Sequence, residues 1–141
     1  MNSQTLTEIK ECGTLIGMEK HTVLIVEDSQ YLAESLVDML EITGYKPIVA
    51  PTGRQAVEMA AEHEPALILL DIRLPDIDGY EVFRRIRATD WGKTAKIMVL
   101  TASESTENIS KNIEIPQKYV LFKPEWSVAD LSKRIEEYIA E

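Results

Sequence analysis

A chain of 141 residues, 45% of them hydrophobic, has enough apolar mass for one compact core and too little for two well-buried ones, so one domain is expected. A formal net charge of -9 and a pI near 4.8 leave no basic stripe to follow a phosphate backbone, which argues against nucleic acid as a partner. The lone cysteine, Cys12, cannot form an internal disulfide, and no long apolar run or basic-then-apolar leader is present. The expected setting is therefore the cytoplasm, away from membranes.

In chain order, residues 1–20, MNSQTLTEIKECGTLIGMEK, read as a tail that is flexible or forms a short helical turn around Leu6 and Ile9. The domain is expected over 21–141. From residue 22, short apolar or β-branched runs alternate with stretches of helical period. The runs are TVLIV (22–26), PIVA (47–50), ALILL (66–70), KIMVL (96–100) and YVLF (119–122). Runs without polar alternation suit strands buried on both faces, so the sequence predicts α/β architecture, a parallel five-stranded sheet between two helical layers. Between the runs, Leu32, Leu36, Met39 and Leu40 share one helical face, as do Ala56, Val57, Ala60 and Ala61, then Val82, Phe83 and Ile86. Val128, Leu131, Ile135, Tyr138 and Ile139 mark the core face of a last helix. Thr52 and Ser127 are candidate N-caps, and His63 is placed at a helix end. With the last helix closing the sequence, a domain with no output domain attached is the expectation.

Ligands of an open parallel sheet bind at the carboxyl ends of its strands. The residues at those ends are Glu27 and Asp28 after the first run, Asp71 after the third, Thr101 after the fourth and Lys123 after the fifth. Each has an ordinary alternative: a helix cap, a turn former, a strand-end hydroxyl, a solvated lysine. Together they suit phosphoryl transfer. Clustered carboxylates need a cation, and Mg²⁺ favours carboxylate and carbonyl oxygens together with waters and phosphate. A carboxylate can attack phosphorus to form an acyl phosphate, while a hydroxyl and an ammonium bind the other phosphoryl oxygens.

The segments VLIVEDS, LILLDIRLPDIDGYEV, IMVLTA and FKP, in that order, resemble the receiver domain of two-component response regulators over residues 21–141. The resemblance implies a (βα)5 flavodoxin-like, CheY-like, doubly wound fold. It also implies that Asp71 is the phosphoacceptor, fed by a histidine kinase or a histidine phosphotransfer protein. Mg²⁺ is then held by Asp28, by Asp71, by Glu27 through water, and by the backbone carbonyl of Arg73. Lys123 pairs with Asp71 and contacts the phosphoryl group, Thr101 is the switch hydroxyl, and a cis peptide is expected before Pro124. Arg73 and Ser103 take the two positions that border the phosphoryl group.

Two features depart from the family. The aromatic usually found three residues before the lysine is replaced by Val120, and alternation along a strand predicts Val120 in the core with Tyr119 partly exposed on the other side. The segment SESTENISKNIE offers only Ile109 and Ile113 as apolar anchors, so its helix should be short or mobile. The function implied is that of a single-domain regulator, a monomer or weak dimer, that binds a downstream protein target when phosphorylated. Its only chemistry is phosphoryl acceptance and self-catalysed loss, so it is not an enzyme. A phosphorelay intermediate and a receiver that acts only as an interaction module remain as alternatives. A hydrolase using an aspartyl phosphate is disfavoured because Arg73 occupies the place of the acid/base it requires.

Overall fold

The computed structural model describes residues 21–102 and 105–141. The tail predicted over 1–20, and Ser103, lie outside the described residues. Five strands, β1 (Thr22–Val26), β2 (Lys46–Ala50), β3 (Leu67–Asp71), β4 (Ile97–Thr101) and β5 (Val120–Phe122), form one parallel sheet in the order β2-β1-β3-β4-β5. Five helices connect or follow them: α1 (Gln30–Ile42), α2 (Gly53–His63), α3 (Gly79–Arg87), α4 (Thr106–Ile113) and α5 (Val128–Ala140). Short 3-10 turns occupy Trp91–Thr94, Gln117–Tyr119 and Lys123–Glu125.

Pleating sends alternate strand residues to opposite layers. Leu24, Val26, Ile68, Leu70, Val99 and Val120 pack with residues of α2, α3 and α4. Val23, Ile25, Leu67, Leu69, Met98 and Leu121 pack with α1 and α5. Every residue of β3 is buried, as a central strand covered on both faces requires. Each such Leu or Ile contributes about 1.5–3 kcal/mol relative to exposure, so the core fixes strand register and hence which residues stand at each strand end.

Local signals set the helix limits. Ser29, Thr52, Asp78, Ser105 and Ser127 each accept an amide N–H of the following turn, and Ser127 with Asp130 completes a capping box. Gly44 ends α1 with φ +94°; its N–H donates to Glu41 O while Tyr45 N–H donates to Leu40 O. His63 is the last residue of α2, as expected.

Three expectations need correction. Val128 is half exposed at the first turn of α5, because the core face of that helix begins only at Leu131. Tyr119 is buried beside Val120 in the same layer, since it belongs to a 3-10 turn, where strand alternation does not operate. There is no cis peptide among the described residues; Lys123–Pro124 is trans, and Pro124 enters a 3-10 turn that suits its fixed φ and does not require its missing N–H. The fourth helix is short, eight residues held to the core by Ile109 and Ile113.

Candidate functional site

The strand order reverses between β1 and β3, since the chain leaves β1 for β2 on one side and returns across it to β3 and the other side. Glu27 and Asp28 follow β1 at this point, and Asp71 ends β3. Glu27 is 3% exposed and Asp71 5%, whereas Asp28 is open to solvent. Ligand oxygens of the three carboxylates lie within 4.8 Å of one another. The Lys123 ammonium, at the end of β5, donates to Glu27 Oε1 at 2.9 Å and to Asp71 Oδ2 at 3.2 Å. The other oxygens are also engaged: Ser29 N–H donates to Glu27 Oε2 at 3.1 Å, and Arg73 N–H donates to Asp71 Oδ1 at 3.1 Å. Thr101, 2% exposed, closes β4 next to β3. All five residues picked at strand ends thus stand at one edge, and the side chain of Arg73 is exposed beside them.

Burial pushes the Glu27 carboxyl above the usual carboxylate range; the hydrogen bond from Lys123 opposes this and the charge on Asp71 adds to it. For Lys123, burial works against the charged form, but Glu27 and Asp71 outweigh it and hold the ammonium above its ordinary pKa. The asymmetry follows from the sharing of one ammonium between two carboxylates. With Asp28 added, three carboxylates converge where, among the described residues, Lys123 is the cation bonded to Glu27 and Asp71. The donor set is short of positive charge and rich in hard oxygens, and it fits a divalent ion such as Mg²⁺.

Two features were not picked out in the sequence. Phe122 is in register with Thr101, and alternation places it on the same side of the sheet as Val120, toward α4. It is only half buried, although Val120 and Leu121 before it are buried. Asp76, in the loop after β3, reaches back to the start of α2. An aromatic next to the Lys-Pro pair was a visible signal for the first; nothing local signals the second.

Comparison with known proteins agrees with this arrangement. Residues 23–136 match the response regulator receiver domain family, and the chain belongs to it. The transcriptional regulatory protein YkoG of Bacillus subtilis is 36% identical over 118 residues, which are 84% of this chain and 50% of YkoG. The polar-differentiation response regulator DivK of Brucella anthropi is 36% identical over 81 residues, 57% of this chain and 66% of DivK. The chain thus spans about half the length of the first of these relatives. Among solved structures, the receiver domain of a Pseudomonas aeruginosa sensor histidine kinase, with a magnesium ion coordinated in its active site cleft, superposes with a TM-score of 0.77 at 30% identity. That match covers 87% of this chain and 100% of the other. The chemotaxis response regulator CheY4 of Vibrio cholerae gives 0.76 at 25% identity, covering 85% and 99%. The CheY-like fold expected from the sequence is the fold observed.

Proposed function

We propose that the protein is a Mg²⁺-dependent phosphoacceptor that takes a phosphoryl group onto Asp71 and signals by binding a partner protein in that state. The observation that carries the proposal is the Lys123 ammonium shared by Glu27 and Asp71 at the edge where Asp28 and Thr101 also stand. The donor is a phosphohistidine of a histidine kinase or a histidine phosphotransfer protein. An Asp71 carboxylate oxygen forms the new P–O bond as the P–N bond breaks, and the electron pair leaves with the imidazole.

Asp28, Asp71, Glu27 through water, and the Arg73 carbonyl are the residues that would hold the ion. When bound, Mg²⁺ supplies neutralisation of charge on the transferring group. Lys123 donates to Asp71 Oδ2 and then turns its ammonium to a phosphoryl oxygen. Thr101 donates its hydroxyl to another. Movement of Thr101 is felt by Phe122, its register neighbour, so the readout passes through position 122 where Val120 offers no ring. The protein acts on its own side chain and has no separate substrate to turn over.

The test is incubation with acetyl phosphate, with and without Mg²⁺, followed by intact mass. The expected result is a gain of one phosphoryl group only with Mg²⁺, and none in Asp71→Asn. No metal-dependent gain in the wild-type protein sinks the proposal and leaves the pure interaction module.

A further inference from the structure

Asp76 lies between β3 and α3, but its carboxylate is spent on another element. Oδ1 accepts from Gly53 N–H at 2.8 Å and Oδ2 from Arg54 N–H at 2.9 Å, two consecutive amides at the start of α2. Such amides have no partner within their own helix, and a carboxylate there also meets the positive end of the helix dipole. Desolvation works against the charged form, yet the N–H groups of Arg54, Ile77, Gly53 and Asp76 itself together outweigh it and bring the carboxyl down to about 2. The fit leaves no slack. A Cβ on Gly53 would stand 2.5 Å from Ile77 Cγ1 and 2.9 Å from Ile77 O, so only glycine lets the loop lie this close to α2.

Helix α2 already has a cap of its own in Thr52, whose hydroxyl accepts from Gln55 N–H at 3.2 Å. The bonds from Asp76 are additional to that cap, and what they fix is the loop. At the far end of the same loop, Gly79 N–H donates to Ile72 O at 2.8 Å, and a Cβ there would stand 2.6 Å from Asp71 O. The loop is therefore closed on itself between Ile72 and Gly79 and tied to α2 at Asp76. Within it lies Arg73, whose N–H orients Asp71 Oδ1.

We infer that Asp76 is a positioning residue of the acceptor site: by clamping the β3–α3 loop to the start of α2, it sets the Arg73 backbone against Asp71. The inference deepens the phosphoacceptor reading and rests on it for its consequence in phosphoryl uptake. A loosened loop takes the fixed Arg73 amide away from Asp71 Oδ1 and displaces the Arg73 carbonyl from the edge where the carboxylates converge. Both effects weaken cation binding without removing any carboxylate from that edge. Arg54 adds little, because its Nε stays 3.7 Å from Asp76 Oδ2 and its side chain is largely exposed.

The experiment compares Asp76→Ala, Asp76→Asn and Arg54→Ala with the wild type. It reads Mg²⁺ affinity by calorimetry, uptake from acetyl phosphate by mass, hydrogen exchange at the Arg73 amide, and the thermal midpoint. Asp76→Ala should weaken Mg²⁺ binding roughly tenfold, as loss of a residue supporting metal ligands commonly does, and deprotect the Arg73 amide. Asp76→Asn keeps one acceptor oxygen and should fall between, and Arg54→Ala should match the wild type. A lower midpoint in Asp76→Ala with Mg²⁺ affinity and Arg73 exchange unchanged overturns the inference and leaves Asp76 a helix cap. If Asp76→Ala does not fold, an Asp76→Asn protein equal to wild type in affinity and exchange overturns it as well. If the wild type accepts no phosphoryl group while Arg73 protection still depends on Asp76, the positioning role stands and the phosphoacceptor reading falls.

Discussion

Lys123 serves two buried carboxylates with one ammonium, and Asp71 is the less tightly held of the two, at 3.2 Å against 2.9 Å for Glu27. In the metal-free protein Asp71 therefore adds a negative charge to a pocket where burial already pushes the Glu27 carboxyl upward. Replacing it with the nearly isosteric neutral amide removes that repulsion and leaves the Lys123–Glu27 pair in place. Asp71→Asn should raise metal-free stability by about 1 kcal/mol, read from urea unfolding, since functional sites commonly trade stability for reactivity. A destabilised Asp71→Asn would mean that the lost attraction between Lys123 and Asp71 outweighs the repulsion. The five strand-end residues were legible because each follows a run whose register the core dictates. Asp76 was not: its partners lie 23 and 22 positions away and are backbone amides, which carry no residue identity to read.

At the scale of elements, the strands were legible to within one residue, because unbroken apolar runs admit little besides buried strands in a chain of this period. The piece between α4 and α5 was harder. Tyr119 looked like the first residue of β5, yet it ends a 3-10 turn and stacks on Tyr138 of α5 with ring centroids 3.8 Å apart. Its hydroxyl bonds to the Glu141 carboxylate, at the amino edge of the sheet and far along β5 from Lys123. A tyrosine can end either a turn or a strand, so only the partner helix decides. Helix α4 is stopped by Glu114 in the left-handed region, φ 55°, where Glu114 N–H donates to Ser110 O and Ile115 N–H donates to the same carbonyl at 3.2 Å. Glu114 is exposed, so nothing in the core requires its side chain. Glu114→Gly should stabilise the protein by roughly 0.5–1 kcal/mol, because glycine adopts this conformation without the Cβ clash. A lower urea midpoint in that variant would show that the flexibility of glycine in the unfolded chain outweighs the relief.

For the whole molecule, a formal charge of -9 means that any salt relieves some self-repulsion, so stabilisation by added salt does not by itself identify a site. Site binding differs in being saturable and tied to particular oxygens. If Mg²⁺ binds the folded protein alone, stability rises by about 2.7 kcal/mol once the ion exceeds its dissociation constant a hundredfold. In a domain of this size that amounts to an upward shift on the order of 10 °C in the thermal midpoint. Sodium chloride at equal ionic strength should give only the part due to screening. Asp28→Asn should lose the Mg²⁺ increment and keep the salt response, because Asp28 is exposed and takes part in no core packing. Equal shifts from the two salts, or a full Mg²⁺ increment in Asp28→Asn, would place the effect in general screening. The same titration in Asp76→Ala links the scales: the variant should need about ten times more Mg²⁺ to gain a given increment over its own metal-free midpoint, and an increment equal to wild type at every concentration would place Asp76 in the fold alone.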